Sequence, residues 1–156
     1  METDDIDIVI LTHMHWDHCQ NTDLFTKARV LVNPTEIDYA RSPNKWDLAV
    51  AAGMADMMRN MKVDTVSEGD KVVDGVTIIE TPGHTKGHMS ILADIDGEKV
   101  LLAGDAMPES GSIARGLPYK SFGTFRMLKK VLRKWLLPPT SFIQDMTAHF
   151  VLKVTK

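Results

Sequence analysis

Residues 12–18 read T-H-M-H-W-D-H, an H-x-H-x-D-H cluster, and they follow directly on a run in which Ile6, Ile8 and Ile10 alternate with Asp7, Val9 and Leu11. Such a β-branched run predicts a buried strand that delivers the histidines into a loop at its C-terminal end. In extended chain, side chains two residues apart share a face. His13 and His15 can therefore point their imidazoles one way, while Asp17 and His18, one turn later, address a neighbouring point. One short segment can thus supply ligands to two adjacent metal ions. Zinc accepts imidazole nitrogen and carboxylate oxygen, and a pair of zinc ions activates water as a nucleophile. A surface histidine cluster or a tag-like scar is disfavoured, because a strand leads straight into this one.

Cys19 is the only cysteine, which excludes an internal disulfide and a cysteine-built zinc knuckle. Any metal must be held by carboxylates and the six histidines. A second motif, T-P-G-H-T-K-G-H-M-S over Thr81–Ser90, again follows a β-run, Thr77-Ile78-Ile79-Glu80. Pro82 and Gly83 make a tight turn that presents His84 from a sheet edge, and His84 is the third ligand expected for the first metal. His88, one turn on, is read as a donor to a ligand or a solvent-facing residue rather than a ligand. Leu101-Leu102-Ala103-Gly104-Asp105 is an apolar strand ending in a carboxylate. Alone it is ordinary turn chemistry; beside two metals, Asp105 is placed to bridge them.

Between these motifs the chain reads as short alternating elements. Thr22 to Lys27 predicts a short helix, Ala28 to Val32 a strand, and Pro34 opens a helical turn through Tyr39. Trp46, Val50, Met54, Met57, Met58 and Met61 recur at helical spacing behind Ser42-Pro43-Asn44, which predicts one amphipathic helix over Trp46 to Met61 that covers a sheet. Its methionines are read as core filler. Val72-Val73, Asp74-Gly75 and Val76 to Ile79 predict strand, turn, strand. His88 to Ala93, Asp96-Gly97 and Lys99 to Ala103 repeat the pattern.

At 156 residues, 44% hydrophobic, the chain is long enough to bury a core as one domain. No apolar run reaches the ~18–20 residues of a membrane span, and METDDIDIVI is acidic where a secretory signal is basic. A cytoplasmic location and no membrane partner are expected. Charge divides the chain: residues 1–119 hold 10 Lys+Arg against 20 Asp+Glu, residues 120–156 hold 8 against Asp145 alone. A basic tail is a prior for nucleic-acid binding. Here the acidic body opposes a phosphate backbone and no recognition motif accompanies the tail, so no nucleic-acid partner is favoured.

H-x-H-x-D-H, then T-P-G-H-T, then a strand-borne G-D, in this order over Ile6 to Asp105, closely resembles the metallo-β-lactamase-fold hydrolase superfamily. The flank D-H-C-Q-N-T-D-L-F, a strand and N-P-T-E look most like its lactonase-like and glyoxalase-II-like branches. The resemblance implies an α+β fold, an αββα sandwich. It also implies His13, His15 and His84 on the first metal, Asp17 and His18 on the second, and Asp105 across both. Flavodiiron relatives usually carry an acidic residue at the place of His15, which disfavours a di-iron electron-transfer centre.

Two departures follow from the same resemblance. The family domain normally opens with further strands before the H-x-H-x-D-H strand, so the sandwich is expected to be incomplete. A late P-G-H, whose histidine completes the second metal site, is also missing, and His149 in M-T-A-H-F lacks the glycine turn. The codons ATC CAG GAC ATG ACC GCC CAT TTC for Ile143 to Phe150, read from their third base, give P-G-H-D-R-P-F. Residues 120–156 are therefore expected to be an atypical, frame-shifted segment behind a 1–119 metallo-β-lactamase-like domain, an expectation that the DNA sequence decides.

The function expected is a metal-dependent, dinuclear zinc hydrolase of ester-like bonds in a small-molecule substrate, lactones or thioesters first and phosphodiesters next. Asp17 is the catalytic residue that orients the nucleophile or shuttles its proton. The missing late ligand predicts a weak second metal site and impaired turnover, and the alternative class is a non-catalytic metal-binding remnant. The oligomeric state stays open.

Overall fold

A computed structural model of the chain describes residues 2–50, 53–107, 141–143 and 150–152. They fall into two compact units, Met1–Val66 with Thr147–Lys156, and Ser67–Met146. The expected domain boundary at residues 119 and 120, and His149, lie outside the described residues. Among those described, no helix is long and apolar enough to cross a membrane.

The first unit is built on strand β1 (Ile8–Ile10), buried at all three positions. β2 (Arg29–Val32) runs parallel to it, β3 (Lys62–Thr65) runs parallel to β2, and β9 (Phe150–Leu152) closes the other side antiparallel, giving the order β3-β2-β1-β9. Strands covered on both faces read as continuous apolar runs, which is why β1 and β2 stand out in the sequence. Helix α1 (Trp16–Cys19) leaves the histidine loop, and α2 (Pro34–Arg41) follows β2. α2 starts where the sequence predicts: Pro34 takes the first turn, and the Asn33 side chain accepts a hydrogen bond from the Thr35 N–H at 2.8 Å. Val9, Leu11, Met14, Cys19, Val30, Val32, Tyr39 and Met58 are among the buried residues that form the core.

The continuous helix expected over Trp46 to Met61 does not form. Residues 45–50 are turns and bends, and α3 covers only Met54–Met57, with a 3-10 turn over Met58–Asn60. Local side-chain bonds win here. Asn44 Oδ1 accepts from the Trp46 N–H at 3.2 Å and Asp47 Oδ1 from the Ala49 N–H at 3.2 Å, the competition that keeps Asn and Asp out of helix interiors. Gly53, at φ +85°, then sets the start of α3. Trp46 is 70% and Leu48 88% exposed, so the apolar period was not a buried stripe. The helix expected at Thr22 to Lys27 is a 3-10 turn over Thr22–Leu24.

The second unit is an antiparallel meander, β4 (Lys71–Val73), β5 (Val76–Glu80), β6 (Met89–Ile95) and β7 (Glu98–Leu102), with β8 (Ser141–Ile143) added parallel to β7. Both expected hairpins are present. Asp96 (φ 53°) and Gly97 (φ 85°) turn β6 into β7 with the two positive φ angles of a type I′ turn. Ile78, Ile79, Met89, Ile91 and Leu101 are fully buried. A 3-10 turn, Gly104–Ala106, follows β7 and carries Asp105.

Candidate metal centre

In the first unit the chain leaves β1 still extended, with His15 at φ −68°, ψ 147°, and turns into α1 at Trp16. That change of backbone gathers three imidazoles. The His13 ring centroid lies 4.6 Å from that of His15 and 4.2 Å from that of His18. All three rings are buried. Asp17 stands beside them with its side chain half exposed and Oδ2 3.6 Å from His18 Nε2. Thr12 Oγ1 lies 3.0 Å from His13 Nδ1.

A carboxylate that the sequence reading missed closes on this cluster. Asp47 Oδ2 lies 3.1 Å from His15 Nε2 and accepts the Tyr39 hydroxyl at 2.5 Å. Burial alone would raise the Asp47 carboxyl, but the hydrogen bonds from Tyr39 and His15 outweigh it and hold Asp47 below its usual range. Burial first, then the bond to Asp47, pushes the Tyr39 phenol upward, so it stays a donor at neutral pH. Nothing in the sequence marked Asp47, which lies within the stretch expected to be helical and is not one of its apolar positions. Cys19 is fully buried and its thiol donates to Met54 Sδ at 3.4 Å; burial, then the negative charges of Asp17 and Glu36, push it up to about 12.

In the second unit the chain leaves β5 through Thr81-Pro82-Gly83 and presents His84, mostly buried, with Nε2 3.3 Å from Asp105 Oδ2. The loop is closed by the Thr81 N–H donating to the His88 carbonyl at 2.9 Å. His88 is fully buried, so the solvent-facing reading falls away. Its Nδ1 lies 2.7 Å from Thr81 Oγ1, which is 2.8 Å from Ser90 Oγ, and Ser90 donates to the Ala103 carbonyl at 3.1 Å. This buried polar chain ties the His84 loop to the end of β7, one residue before the turn that carries Asp105.

Within each unit, then, the sequence-predicted residues meet: His13, His15, Asp17 and His18 in the first, His84 and Asp105 in the second. Imidazole nitrogens and carboxylate oxygens, buried or nearly so in all but the half-exposed Asp17, are the donor set of zinc and similar divalent ions, so the residues fit such a metal.

The family model described as the metallo-beta-lactamase superfamily matches residues 2–141. The chain belongs to that superfamily. Among its relatives, an N-acyl homoserine lactonase of Bacillus thuringiensis is 28% identical over 141 residues, 85% of this chain and 54% of the relative. A protein of Methanocaldococcus jannaschii named as a probable metallo-hydrolase is 31% identical over 120 residues, 77% of this chain and 46% of the relative. Among solved structures, a variant of B. thuringiensis AiiA with N-decanoyl-L-homoserine bound at its active site matches with a TM-score of 0.74 at 25% identity, over 92% of this chain and 56% of that one. The chain spans about half the length of the curated relatives it matches. Its fold is accordingly α+β, part of the superfamily's αββα sandwich, with two mixed sheets and few, short helices.

Proposed function

We propose that this chain is a metal-dependent hydrolase of ester-like bonds, lactones first, in a small-molecule substrate. From the order of its motifs within the superfamily, we assign His13, His15 and His84 to one zinc ion, Asp17 and His18 to a second, and Asp105 to both. The observation that carries the reading is the gathering of three buried imidazoles within six residues of loop and helix behind β1, in a relative of proteins named as N-acyl homoserine lactonases. Burying so many polar rings is costly unless each has a task or a partner.

When bound, a zinc pair polarises a carbonyl oxygen and lowers the pKa of a water towards neutrality. The chain's own groups do the rest. The half-exposed Asp17 carboxylate, beside His18, can orient the attacking water and pass its proton to solvent. Asp105 holds the His84 ring at 3.3 Å, and Asp47 holds His15. The measurement is zinc per chain together with turnover of an N-acyl homoserine lactone, a thioester and a phosphodiester. Two zinc ions and lactone turnover that is lost in His13→Ala support the reading. Zinc with no turnover of any substrate favours the metal-binding remnant, and no zinc at all overturns both.

A further inference from the structure

Asp47 lies outside both histidine motifs, in residues 45–50, which form no regular element. Yet it is only 5% exposed, and its contacts account for that burial. Oδ2 accepts from the Tyr39 hydroxyl at 2.5 Å and lies 3.1 Å from His15 Nε2. Oδ1 accepts from the Ala49 N–H at 3.2 Å. The Asp47 N–H donates to the Asn44 carbonyl at 2.8 Å, and the Trp16 N–H, next to His15, donates to the Ala49 carbonyl at 2.9 Å. A stretch without regular structure is thus fastened at one end to α2, through Tyr39, and at the other to the start of α1.

A carboxylate accepts and does not donate when ionised. Facing Asp47, His15 Nε2 must therefore carry the proton, and in a neutral imidazole the lone pair then resides on Nδ1. A ligating histidine commonly gives its other ring N–H to a carboxylate, which fixes both tautomer and ring orientation. Tyr39 in turn fixes the carboxylate, because a buried phenol donating to Oδ2 leaves the Asp47 side chain little freedom to rotate.

We propose that Asp47, backed by Tyr39, is a positioning residue that holds His15 in the Nε2–H tautomer and so assigns Nδ1 as its metal-ligating atom. This rests on the metal-centre reading above. The arrangement is set before any metal arrives, so it predicts a property of the metal-free chain.

The test uses the full chain stripped of metal. Its first readout is the tautomer of His15, from ¹⁵N shifts of the imidazole ring. Its second is zinc affinity by competition with a chelator, with circular dichroism confirming that each variant is folded. The expected results are the Nε2–H tautomer in the metal-free wild type, a fall of about 10–100-fold in zinc affinity for Asp47→Asn, and a smaller fall for Tyr39→Phe. A merely structural role would lower thermal stability and leave tautomer and affinity alone. If Asp47→Asn does not fold, the wild-type tautomer and Tyr39→Phe still decide. Wild type that binds zinc but holds His15 as the Nδ1–H tautomer overturns this inference alone, as does equal affinity in folded Asp47→Asn. Wild type that binds no zinc overturns the metal-centre reading beneath it.

Discussion

The Met14 N–H donates to Oε1 of Glu36 at 2.9 Å, and both residues are fully buried. Met14 sits between His13 and His15, so a carboxylate on α2 pins the backbone of the histidine loop. A hydrogen bond to a charged group is worth more than a neutral one, and stranding a buried donor costs its desolvation as well. Glu36→Ala should destabilise the chain by about 2–3 kcal/mol, and Glu36→Gln, which keeps an acceptor, by about 1 kcal/mol. Urea unfolding measures both, and an alanine variant as stable as wild type would count against the pin.

Thr81 has the corresponding place in the second unit, its hydroxyl touching His88 and Ser90 at once. Thr81→Val keeps the shape and removes the hydroxyl, leaving two buried groups short of a partner at a cost of about 2–3 kcal/mol. Ser90→Ala should cost about 1 kcal/mol, since one carbonyl partner is lost along with the donor itself. A valine variant no less stable than the alanine variant would show that the chain Thr81–Ser90–Ala103 is dispensable.

Two glycines with similar backbone angles should respond differently to alanine. Gly75 has φ +80° and a Cβ there would meet the Asp94 carbonyl oxygen at 3.3 Å, whereas Gly97, at φ +85°, has nothing within 4 Å. Gly97→Ala should cost about 1 kcal/mol for the dihedral alone. Gly75→Ala, which adds a crowded backbone contact, should reach about 2 kcal/mol. Thermal unfolding of the two variants side by side gives the order.

The hairpin of β6 and β7 should weaken in acid. The Lys99 ammonium, 2.5 Å from Asp94 Oδ2, holds that carboxyl below its usual value of 3.8, and the Gly97 N–H donates to Oδ1 at 3.0 Å. A carboxyl with a lowered folded pKa contributes stability above its unfolded pKa and loses it as the pH falls through the folded one. The decline should therefore begin near pH 4 and continue below it, and Asp94→Asn should flatten it. Because both side chains are well exposed, 1 M salt should also flatten it.

The sequence was most legible where one local rule had no rival. Ile6 to Leu11 and Ala28 to Val32 read as strands because β-branched residues filled them. Asp96-Gly97 read as a hairpin turn because few other residues accept two positive φ angles. The histidine loops were legible because chemistry and strand ends coincided there. The misreadings came where side chains competed with the backbone. Trp46 and Leu48 were counted as apolar period, but Asn44 and Asp47 bind the nearby N–H groups, and Gly53 interrupts the run. β3 was missed because its burial pattern leaves Val63 as the only apolar side chain turned even partly inward, a faint signal on an outer strand. Asp47 was missed for a different reason: its partners, Tyr39 and His15, are 8 and 32 residues away, and no local pattern records a distant contact.

The place of β1 has a consequence for synthesis. Ile10 pairs with Leu31 on one side and Phe150 on the other, so one flank is filled about 20 residues after β1 emerges and the other only about 140 residues after it. At ribosomal speeds of roughly 5–20 residues per second, that second flank stays open for roughly 7–28 s. During that time the strand that delivers the histidines is an exposed template for any other nascent chain. Yield in the cell should then depend on translation speed and chaperone supply as much as on the stability of the finished protein.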